Sequence, residues 1–370
     1  MSRPRLRLLH ETNPGKYFPA LFLLGETGKV TLTGSHRYSV FKEWLRAGLK
    51  DKTPLGPRSR NALGDLCFRL RVLSGIGAPS GEVVLIGFAP WDWRILIYRR
   101  LARRNRILYQ TSWHDWRLDN TPRQPKPQAF KVWLRQQWMD FMHHPNVRTI
   151  AVTRVVADTV QAEADVTARV IPHAVPETFF AAGAAKMRRS EGPLKLLYVG
   201  EISEKKGLRV LLEMMPSLAT KGVTLTVVGN GPLAEDVRRV EAATDGAVRF
   251  LGPVYDRTKL AGIMAEHDIL MLLSQKTTTW EELFGIVVVE ALAAGLAVVA
   301  SDHVGPRGIL GPVDGAGLFA QDAQQDVARE LEAMAADRNR LDVLYHRQVP
   351  VAEQFAIAQV AEQWLEEIEA

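Results

Sequence analysis

The feature that most constrains the fold is a repeated alternation in the second half of the chain. Short β-branched runs, several of them ending in glycine, are each followed by a stretch of helical character. The runs are "LKLLYVG" (194–200), "VTLTVVG" (223–229), "VRFLG", "DILMLLS" and "LAVVAS". Strands that alternate with helical stretches of roughly 10–15 residues indicate a parallel sheet covered by helices on both faces. The second half is therefore predicted to be an α/β domain with a doubly wound parallel sheet.

The first half carries a less regular version of the same pattern. Its candidate strands are "EVVLIGFA" (82–89), "RILYQTS" (106–112), "VRTIAVT" (147–153) and "ARVIPHAV" (168–175). A chain of 370 residues is longer than a single core usually supports, since cores rarely grow beyond about 250–300 residues. We therefore predict two domains, residues 1–180 and 194–348, joined by the small, polar linker "AAGAAKMRRSEGP" (181–193).

The loop after "DILMLLS" is the most informative place for function, because open α/β sheets bind ligands at the carboxyl ends of their strands. A polar stretch from Gln275 to Glu281 is followed by "LFGIVVVEALAAG". Strong helix formers and a terminal glycine predict a helix from near Phe284 to Ala294. The free amides at the start of such a helix favour phosphate oxygens or sugar hydroxyls.

Two carboxylates in this segment, Glu282 and Glu290, are candidates for binding a ligand. On one helix they would lie roughly 12 Å apart, at about 1.5 Å per residue, which is comparable to a nucleotide-sugar from hexose to ribose. Each carboxylate could then accept paired hydroxyl hydrogen bonds at one end of the donor. A structural alternative stays open, in which Glu282 is a partner of the helix dipole and Glu290 accepts from a backbone N–H.

A set of motifs in fixed order resembles retaining glycosyltransferases of family 4, which have the GT-B fold. "EELFGIVVVEALAAGLAVVAS" is similar to the E-x7-E segment of that family. The flanking stretches that agree are "LLYVGEISEKKGLRVLLEMM", "LTVVGNGPL", "VRFLGPV", "SDHVGPRGIL" and "VIPHAVPETFF". The resemblance covers about 168–320 and is weak before about 105. It implies two Rossmann-like domains facing a central cleft, with a last helix (349–370) that crosses back to the N-terminal domain.

The resemblance also implies roles for individual residues. It implies transfer of a sugar from a nucleotide-sugar donor to an acceptor hydroxyl with retention of configuration, which is a hexosyltransferase activity. Glu290 would bind the ribose hydroxyls and Glu282 the donor sugar. Lys206 would stabilise the charge that develops on the diphosphate leaving group, without a metal, unless it is only a surface lysine at a helix start. Further donor contacts would come from Lys205, Gly229, Leu283, Phe284 and Gly285, and backbone groups near Leu251 and Gly252 would contact the nucleotide base.

One position departs from the family pattern. Glu201 stands where the family usually has an arginine, so the charge near the donor phosphates is reversed. Lys205, Arg307 or Lys16 could compensate, or donor binding could be weak. The residues alone do not choose between these explanations.

The first half offers two weaker matches. "YQTSWHDW" (109–116) places His114 and Asp115 at the end of a predicted strand, similar to the family's His-Asp pair. The resemblance implies that His114 touches the donor sugar while Asp115 orients its ring. The alternative is a histidine packed among tryptophans. "ETNPGKYFPAL" (11–21) would be the first strand-to-helix loop near the donor phosphates, but it has only Gly15, next to Lys16, where the family often has two glycines. A plain turn is the alternative.

Charge is divided unevenly between the halves. Residues 1–180 contain 28 Lys and Arg and 14 Asp and Glu, a formal charge of +14, while the whole chain has +6. Two segments, 91–106 and 130–144, mix tryptophans and apolar residues, the first with many arginines including Arg99, Arg100, Arg103 and Arg104. Basic amphipathic helices of this kind suit an anionic membrane surface, although ordinary domain helices with solvated arginines fit as well. We expect a glycan or lipid-linked acceptor, and no nucleic acid, since no nucleic-acid-binding motif is present.

Several classes are excluded or disfavoured. The single cysteine, Cys67, excludes an internal disulfide and fits a reducing compartment. No signal peptide is expected, and no apolar run reaches the roughly 20 residues of a membrane span, so the expected location is the cytoplasm, peripheral at the inner face of the membrane. No Asp-x-Asp motif is present, and we expect neither a metal nor another cofactor.

Two other functions stay open. A dinucleotide-dependent oxidoreductase would need G-x-G-x-x-G, but "GNGPLA" has Ala234 at the third glycine position. A degenerate GT-B scaffold that binds partners without catalysis would explain Glu201.

Overall fold

The computed structural model describes residues 3–11, 14–49, 54–117, 125–187, 191–278 and 280–370. Contacts divide the chain into two compact units. The first comprises residues 1–174 and 357–370, and the second comprises residues 175–356.

The first unit contains a six-stranded sheet in which all neighbouring strands are parallel. Its strands are β1 (Arg5–His10), β2 (Thr31–Arg37), β3 (Val83–Gly87), β4 (Arg106–Thr111), β5 (Val147–Ala151) and β6 (Ala168–Val170). The helices that follow these strands are α1 (Pro14–Tyr17), α2 (Pro19–Glu26), α3 (Val40–Leu49), α4 (Leu55–Ser74), α5 (Ile95–Tyr98), α6 (Gln128–Met142) and α7 (Arg154–Ala164). The strand order is β2-β1-β3-β4-β5-β6. Every residue of the central strand β3 is buried, as expected for a strand covered on both faces.

The second unit repeats this architecture with a second six-stranded parallel sheet, in the order β12-β11-β10-β7-β8-β9. Its strands are β7 (Leu194–Glu201), β8 (Val223–Asn230), β9 (Val248–Gly252), β10 (Ile269–Leu272), β11 (Ala297–Ser301) and β12 (Leu318–Phe319). Its helices are α8 (Glu177–Ala184), α9 (Leu208–Ala219), α10 (Ala234–Ala243), α11 (Arg257–Ala265), α12 (Ile286–Ala293), α13 (Val304–Leu310), α14 (Gln324–Ala336) and α15 (Arg338–Gln348). The predicted doubly wound α/β class is confirmed in both units.

The last helix, α16 (Ile357–Glu369), belongs to the first unit. Its buried Trp364 packs edge-on against Phe18, with ring centroids 6.2 Å apart. The buried carboxylate of Glu367 accepts hydrogen bonds from Arg148 at 3.0 Å and Arg169 at 3.1 Å. The helix therefore adds apolar and ionic contacts to the first unit. The predicted span 349–370 was too long for one helix, because Val349–Phe355 forms a 3₁₀ segment of the second unit.

The predicted linker 181–193 does not coincide with the division between the units. Residues 181–184 are the end of α8, so the linker prediction is wrong there, and residues 188–190 lie outside the described residues. Helix α8 packs on α11 and α12, and its Phe179 is fully buried. Among the small residues that suggested a linker, Gly183 allows close packing, since a Cβ atom added there would lie 2.3 Å from the Ala293 carbonyl oxygen.

The two segments offered as membrane-facing helices bury part of their apolar side chains within the first unit, while Trp93, Phe130, Val132 and Trp133 are 36–58% exposed. In 91–106, α5 and the following 3₁₀ helix bury Ile95, Tyr98 and Leu101. In 130–144, α6 buries Trp138 and Phe141 in an aromatic cluster with ring contacts of 5.4–6.4 Å. These contacts fit the alternative of ordinary domain helices. None of the described helices is long and apolar enough to cross a membrane.

Candidate functional site

Lys206 and Glu282, which are distant in sequence, meet near the carboxyl ends of β7 and β10. The Lys206 Nζ atom lies 2.5 Å from the Glu282 Oε2 atom. The two side chains are only 22% and 12% exposed, so the pair is largely shielded from water. The second unit therefore brings a predicted phosphate-binding cation and a predicted sugar-binding carboxylate into direct contact.

Backbone packing fixes the position of this lysine. Gly207 has a φ of +70°, and a Cβ atom added there would lie 1.6 Å from the Leu273 carbonyl oxygen. The Gln275 N–H also donates to the Lys205 carbonyl at 2.8 Å. Because only glycine permits both the left-handed conformation and the close approach, the Lys-Gly segment lies tightly against the end of β10.

A similar constraint explains Gly229, which was predicted to bind the donor. A Cβ atom added at Gly229, whose φ is +150°, would lie 1.8 Å from the Gly200 carbonyl oxygen. The glycine is therefore required by close packing between the ends of β7 and β8. Its predicted contact with the donor is not tested by this geometry.

Trp280 is a residue of this site that the sequence analysis did not identify. Its ring lies 4.9 Å from the Lys206 ammonium and 5.7 Å from the Lys205 ammonium, within the range of cation–π contacts. The signal in the sequence was an aromatic residue in a polar loop directly before the two carboxylates Glu281 and Glu282. The ring forms one wall beside the lysine pair.

His303, also missed from the sequence, supports the loop that carries Glu282. The backbone N–H of Glu282 donates to the His303 Nδ1 atom at 3.4 Å, and His303 Nε2 lies 3.4 Å from the Gln321 Oε1 atom. Burial lowers the pKa of His303, so the ring is neutral near pH 7. A neutral ring with its proton on Nε2 satisfies both contacts.

The helix predicted to begin near Phe284 begins two residues later. Gly285, with a φ of +75°, precedes the first helical residue, and α12 spans Ile286–Ala293. Because Glu282 lies before the helix, the predicted spacing of Glu282 and Glu290 along one helix is wrong. Leu283 and Phe284 belong to the same non-helical loop, next to Glu282.

Glu290 is in the middle of α12 and is buried, with 4% of its side chain exposed. Its Oε1 atom accepts a hydrogen bond of 2.5 Å from the Arg257 Nη2 atom. The guanidinium also packs over the Phe179 ring, 4.7 Å from its centroid. A charged partner explains why a carboxylate is tolerated in this apolar helix. Arg257, which was not predicted as a site residue, begins α11 just after the predicted base-binding residues.

Two of the three side chains proposed to compensate for the arginine missing at position 201 are themselves paired. Lys205 Nζ lies 2.9 Å from Glu201 Oε2, and Arg307 donates to both carboxylate oxygens of Asp302 at 2.7 Å. The side chain of Lys16 lies outside the described residues. Gly15 is exposed in the short helix α1.

Leu251 and Gly252 form the carboxyl end of β9, an edge strand of the second sheet. The predicted contact with the nucleotide base would use their backbone groups, which lie at the carboxyl end of the strand. Their contact with a nucleotide base stays a prediction.

The first unit places His114 after the carboxyl end of β4. Next to it, Trp116 is fully buried and donates from Nε1 to the Trp113 carbonyl at 3.1 Å. Asp115 accepts from the Arg117 N–H at 3.1 Å. A cavity of about 160 Å³ lies at the ends of β1, β3 and β4, with Trp113 among its lining residues. The roles predicted for His114 and Asp115 stay predictions.

Within the parts of the chain that the structure describes, no group of three or more His, Cys, Asp or Glu side chains is arranged to hold a metal ion. Two buried histidines of the second unit, His267 and His303, contact carbonyl, amide and hydroxyl groups.

Comparison with known proteins places the strongest similarity in the second unit. Residues 193–337 match the family model described as Glycosyl transferases group 1. A phosphatidyl-myo-inositol mannosyltransferase from Mycolicibacterium smegmatis is 36% identical over 145 residues, which are 38% of this chain and 36% of that protein. A glycogen synthase from Mycobacterium tuberculosis is 34% identical over 124 residues, covering 32% of this chain and 28% of that protein. This chain therefore spans about a third of the length of the curated relatives it matches.

Solved structures show the fold over the whole chain. Anabaena HepE in complex with UDP and glucose has a TM-score of 0.66 and 17% identity, covering 99% of this chain and 100% of that chain. Sucrose-phosphate synthase from Thermosynechococcus elongatus has a TM-score of 0.67 and 15% identity, covering 99% and 98%. The chain has the GT-B fold of such glycosyltransferases, as the resemblance implied.

Proposed function

We propose that this protein is a retaining, metal-independent glycosyltransferase of family 4 that transfers a sugar from a nucleotide-sugar to an acceptor hydroxyl. The observation that carries the proposal is the contact between Lys206 and Glu282 at the carboxyl ends of β7 and β10. This edge is where open α/β sheets bind their ligands. The match to Glycosyl transferases group 1 over residues 193–337 supports the same activity.

In the proposed reaction, the acceptor oxygen bonds to the anomeric carbon from the face that the diphosphate leaves. The bond between that carbon and the diphosphate oxygen breaks, and its electron pair stays on the diphosphate. The acceptor proton passes to a departing phosphate oxygen, so no protein nucleophile is required. Lys206 stabilises the negative charge that develops on the leaving group.

The ion pair has a mechanistic consequence. An ammonium 2.5 Å from a carboxylate is partly neutralised, and a bound diphosphate would compete with Glu282 for it. Glu282 would then turn to the sugar hydroxyls, which can donate to its carboxylate oxygens. Donor binding would thus replace the hydrogen bond between Lys206 and Glu282 by two others. Lys206 would donate to the diphosphate, and Glu282 would accept from the sugar hydroxyls.

Glu290 would hold the ribose end of the donor. Arg257 donates to the Glu290 Oε1 atom, and we assign the Glu290 carboxylate as the acceptor for the ribose hydroxyls. Anabaena HepE, which has the same fold, was solved in complex with UDP, so UDP is a sensible first nucleotide to test.

For the acceptor, we propose a lipid-linked glycan or phospholipid at the inner face of a membrane. Two observations support this class. One curated relative is named for phosphatidyl-myo-inositol, and the first 180 residues carry a formal charge of +14, which suits an anionic surface.

The proposal is tested by a thermal-shift panel of UDP, GDP and ADP, each with and without excess chelator. Binding to the folded state raises the melting temperature, so one nucleoside diphosphate should raise it in both conditions. Hydrolysis or transfer of the matching nucleotide-sugar should then persist with chelator. Loss of all turnover with chelator would refute the metal-independent mechanism, and the lack of a shift with every nucleotide would refute the donor class.

A non-catalytic scaffold is the second candidate, and one observation favours it. Lys205, Lys206, Arg257 and Arg307 each contact a carboxylate, so the cations near the strand ends are already paired. A scaffold would bind nucleotide weakly or not at all in calorimetry and would not hydrolyse a donor. An enzyme would bind the nucleotide in calorimetry and would hydrolyse the donor.

A further inference from the structure

Helix α4 has two apolar faces, and only one of them is covered. Asp65, Phe68 and Val72 form the buried face. The opposite face carries leucines at helical spacing, and they are exposed by 61%, 43%, 54% and 41% at Leu63, Leu66, Leu70 and Leu73. Four leucines facing water along one helix are unusual for a monomeric protein.

Helix α3, which packs against α4, extends this surface. Its Phe41 and Leu49 are 72% and 79% exposed, and Leu45 is 38% exposed. Trp44 stacks near Phe41, with ring centroids 6.5 Å apart. A groove of about 530 Å³ beside these helices has Phe41, Trp44 and Leu66 among its lining residues. We call the exposed apolar side chains of α3 and α4 the α3–α4 face.

The charges around this face are almost all positive. Among the side chains of α3 and α4 that the structure describes, the charged ones are Arg58, Arg60, Arg69 and Arg71 and the single acidic residue Asp65. Asp65, the acidic residue of α4, is buried on the opposite side, where it contacts His36. Arg60 and Arg71 are exposed on α4. A leucine stripe bordered by arginines is the pattern of helices that lie in a membrane interface.

The arginines of the segment 91–106 border the same face. Arg100 donates to the Leu73 carbonyl at 2.9 Å. Arg100, Arg103 and Arg104 line a cavity of about 370 Å³ together with Leu73. The basic residues that suggested a membrane surface are thus adjacent to the exposed Leu73 of another helix, while Ile95, Tyr98 and Leu101 of their own segment are buried.

We propose that the α3–α4 face docks on an anionic phospholipid bilayer, with its leucines among the acyl chains and Arg60 and Arg71 at the lipid phosphates. The proposal deepens the proposed function, since it rests on a membrane-bound acceptor and names the surface that reaches it. Charge favours lipid over a second copy of the chain, because two copies of this face would bring like charges together.

The single cysteine allows a direct test in the natural sequence. Cys67 is exposed on α4, next to Leu66, and can be labelled with an environment-sensitive fluorophore. With the full chain, vesicles of phosphatidylglycerol and phosphatidylcholine should shift the emission of the label to shorter wavelength. Phosphatidylcholine alone should have little effect, and salt should reverse the shift, since surface charge is screened within about 8–10 Å at physiological salt.

Variants separate the apolar from the charged part of the contact, measured by co-sedimentation of the unlabelled chain. Leu66→Ser with Leu70→Ser should lower the vesicle partition coefficient by about tenfold or more, because apolar area is lost from the interface. Arg60→Ser with Arg71→Ser should lower it by about tenfold or more on anionic vesicles. All four residues are exposed, so folding should be unaffected.

The matched controls lie in the second unit. Met187→Ser with Val343→Ser removes two apolar side chains that are 88% and 61% exposed, and Arg239→Ser with Arg329→Ser removes two arginines that are 76% exposed. Both controls should partition like the wild type.

Three outcomes would overturn the proposal. The first is a wild type that ignores anionic vesicles at low salt. The second is leucine variants that bind vesicles like the wild type. The third is a label whose emission shifts with protein concentration in the absence of lipid, which would make the face a self-association surface.

Nucleotide-induced thermal shifts, measured in the same variants without lipid, should equal that of the wild type. If they are missing in every protein, including the wild type, the proposed function fails independently of the docking result.

Discussion

The contact between Lys206 and Glu282 predicts that replacing its two members will have different effects on nucleotide binding. Lys206→Met removes the cation assigned to the donor diphosphate. Glu282→Gln removes the carboxylate that holds this cation 2.5 Å away before donor binds, yet it leaves the ammonium in place. A purely structural ion pair would show no such asymmetry.

The magnitude follows from the shielding of the pair. The side chains are 22% and 12% exposed, so hydrogen bonds to them are worth about 1.5–3 kcal/mol each, the range for charged groups. At about 1.4 kcal/mol per tenfold, Lys206→Met should weaken nucleoside diphosphate binding by about 10- to 150-fold. Glu282→Gln should leave this affinity unchanged or raise it, because the competing carboxylate is replaced by a neutral amide. Both variants should lower kcat/KM by at least about tenfold.

Isothermal titration with the nucleoside diphosphate selected by thermal shift measures the affinity, and donor turnover measures kcat/KM. Lys221→Met is the matched control. Lys221 is an exposed lysine just before the first residue of β8, at the amino-terminal ends of the strands of the same sheet. Both quantities should therefore stay at the wild-type level in this variant. Equal losses of nucleotide affinity in Lys206→Met and Glu282→Gln would refute the exchange of partners. Wild-type affinity in Lys206→Met would remove Lys206 from the donor site.

Three other predictions concern the same unit. Glu290→Gln should weaken nucleoside diphosphate binding by about 10- to 150-fold, and an affinity like that of the wild type would contradict the ribose assignment. Arg257→Met should mainly lower the melting temperature, since it leaves a buried carboxylate without its cation. Glu201→Arg should raise donor affinity in titration if Glu201 stands in for a phosphate ligand, and weaker binding would count against that interpretation. Burial lowers the pKa of His303 and His267 below the ordinary 6.5. Below about pH 6.5 the unfolded chain therefore binds protons at these histidines that the folded chain does not, and the free energy of unfolding should fall as the pH drops. Scanning calorimetry from about pH 8 to about pH 5 should show this fall, with a smaller one in His303→Gln; an equal fall in that variant would exclude His303 as a source.

The strands of the second unit were predictable because each is a local apolar run. The runs that begin at Leu194, Val223 and Val248 in the sequence are strands with the same first residues in the structure. No run was named for β1, although a strand was expected before the loop at 11–21, and β2 and β12 were missed entirely. β2 is a partly exposed edge strand with a glycine and several polar residues, and β12 has only two residues, so neither has an apolar pattern of its own.

The identity of the site residues was also local information, whereas their partners were not. Lys206, Glu282 and Glu290 are recognisable from the residues beside them in sequence. Glu290 contacts Arg257 from 33 positions away, and Lys206 contacts Glu282 from 76 positions away. Such pairs form because the parallel topology brings the ends of separate strands to one edge, and no short motif records which side chains meet there.

The leucines of α4 show most directly what sequence alone determines. Helix α4 has apolar residues at helical spacing on two sides, and on one side Phe68 and Val72 are in the core. The same periodicity applies to Leu66 and Leu70, which are exposed. Local sequence determines which side chains share a helix face, because 3.6 residues per turn sets their directions. Which of two apolar faces is covered depends on how many neighbouring elements the fold supplies. In this protein α3, α5 and β2 pack against α4 and leave its leucine stripe in contact with water.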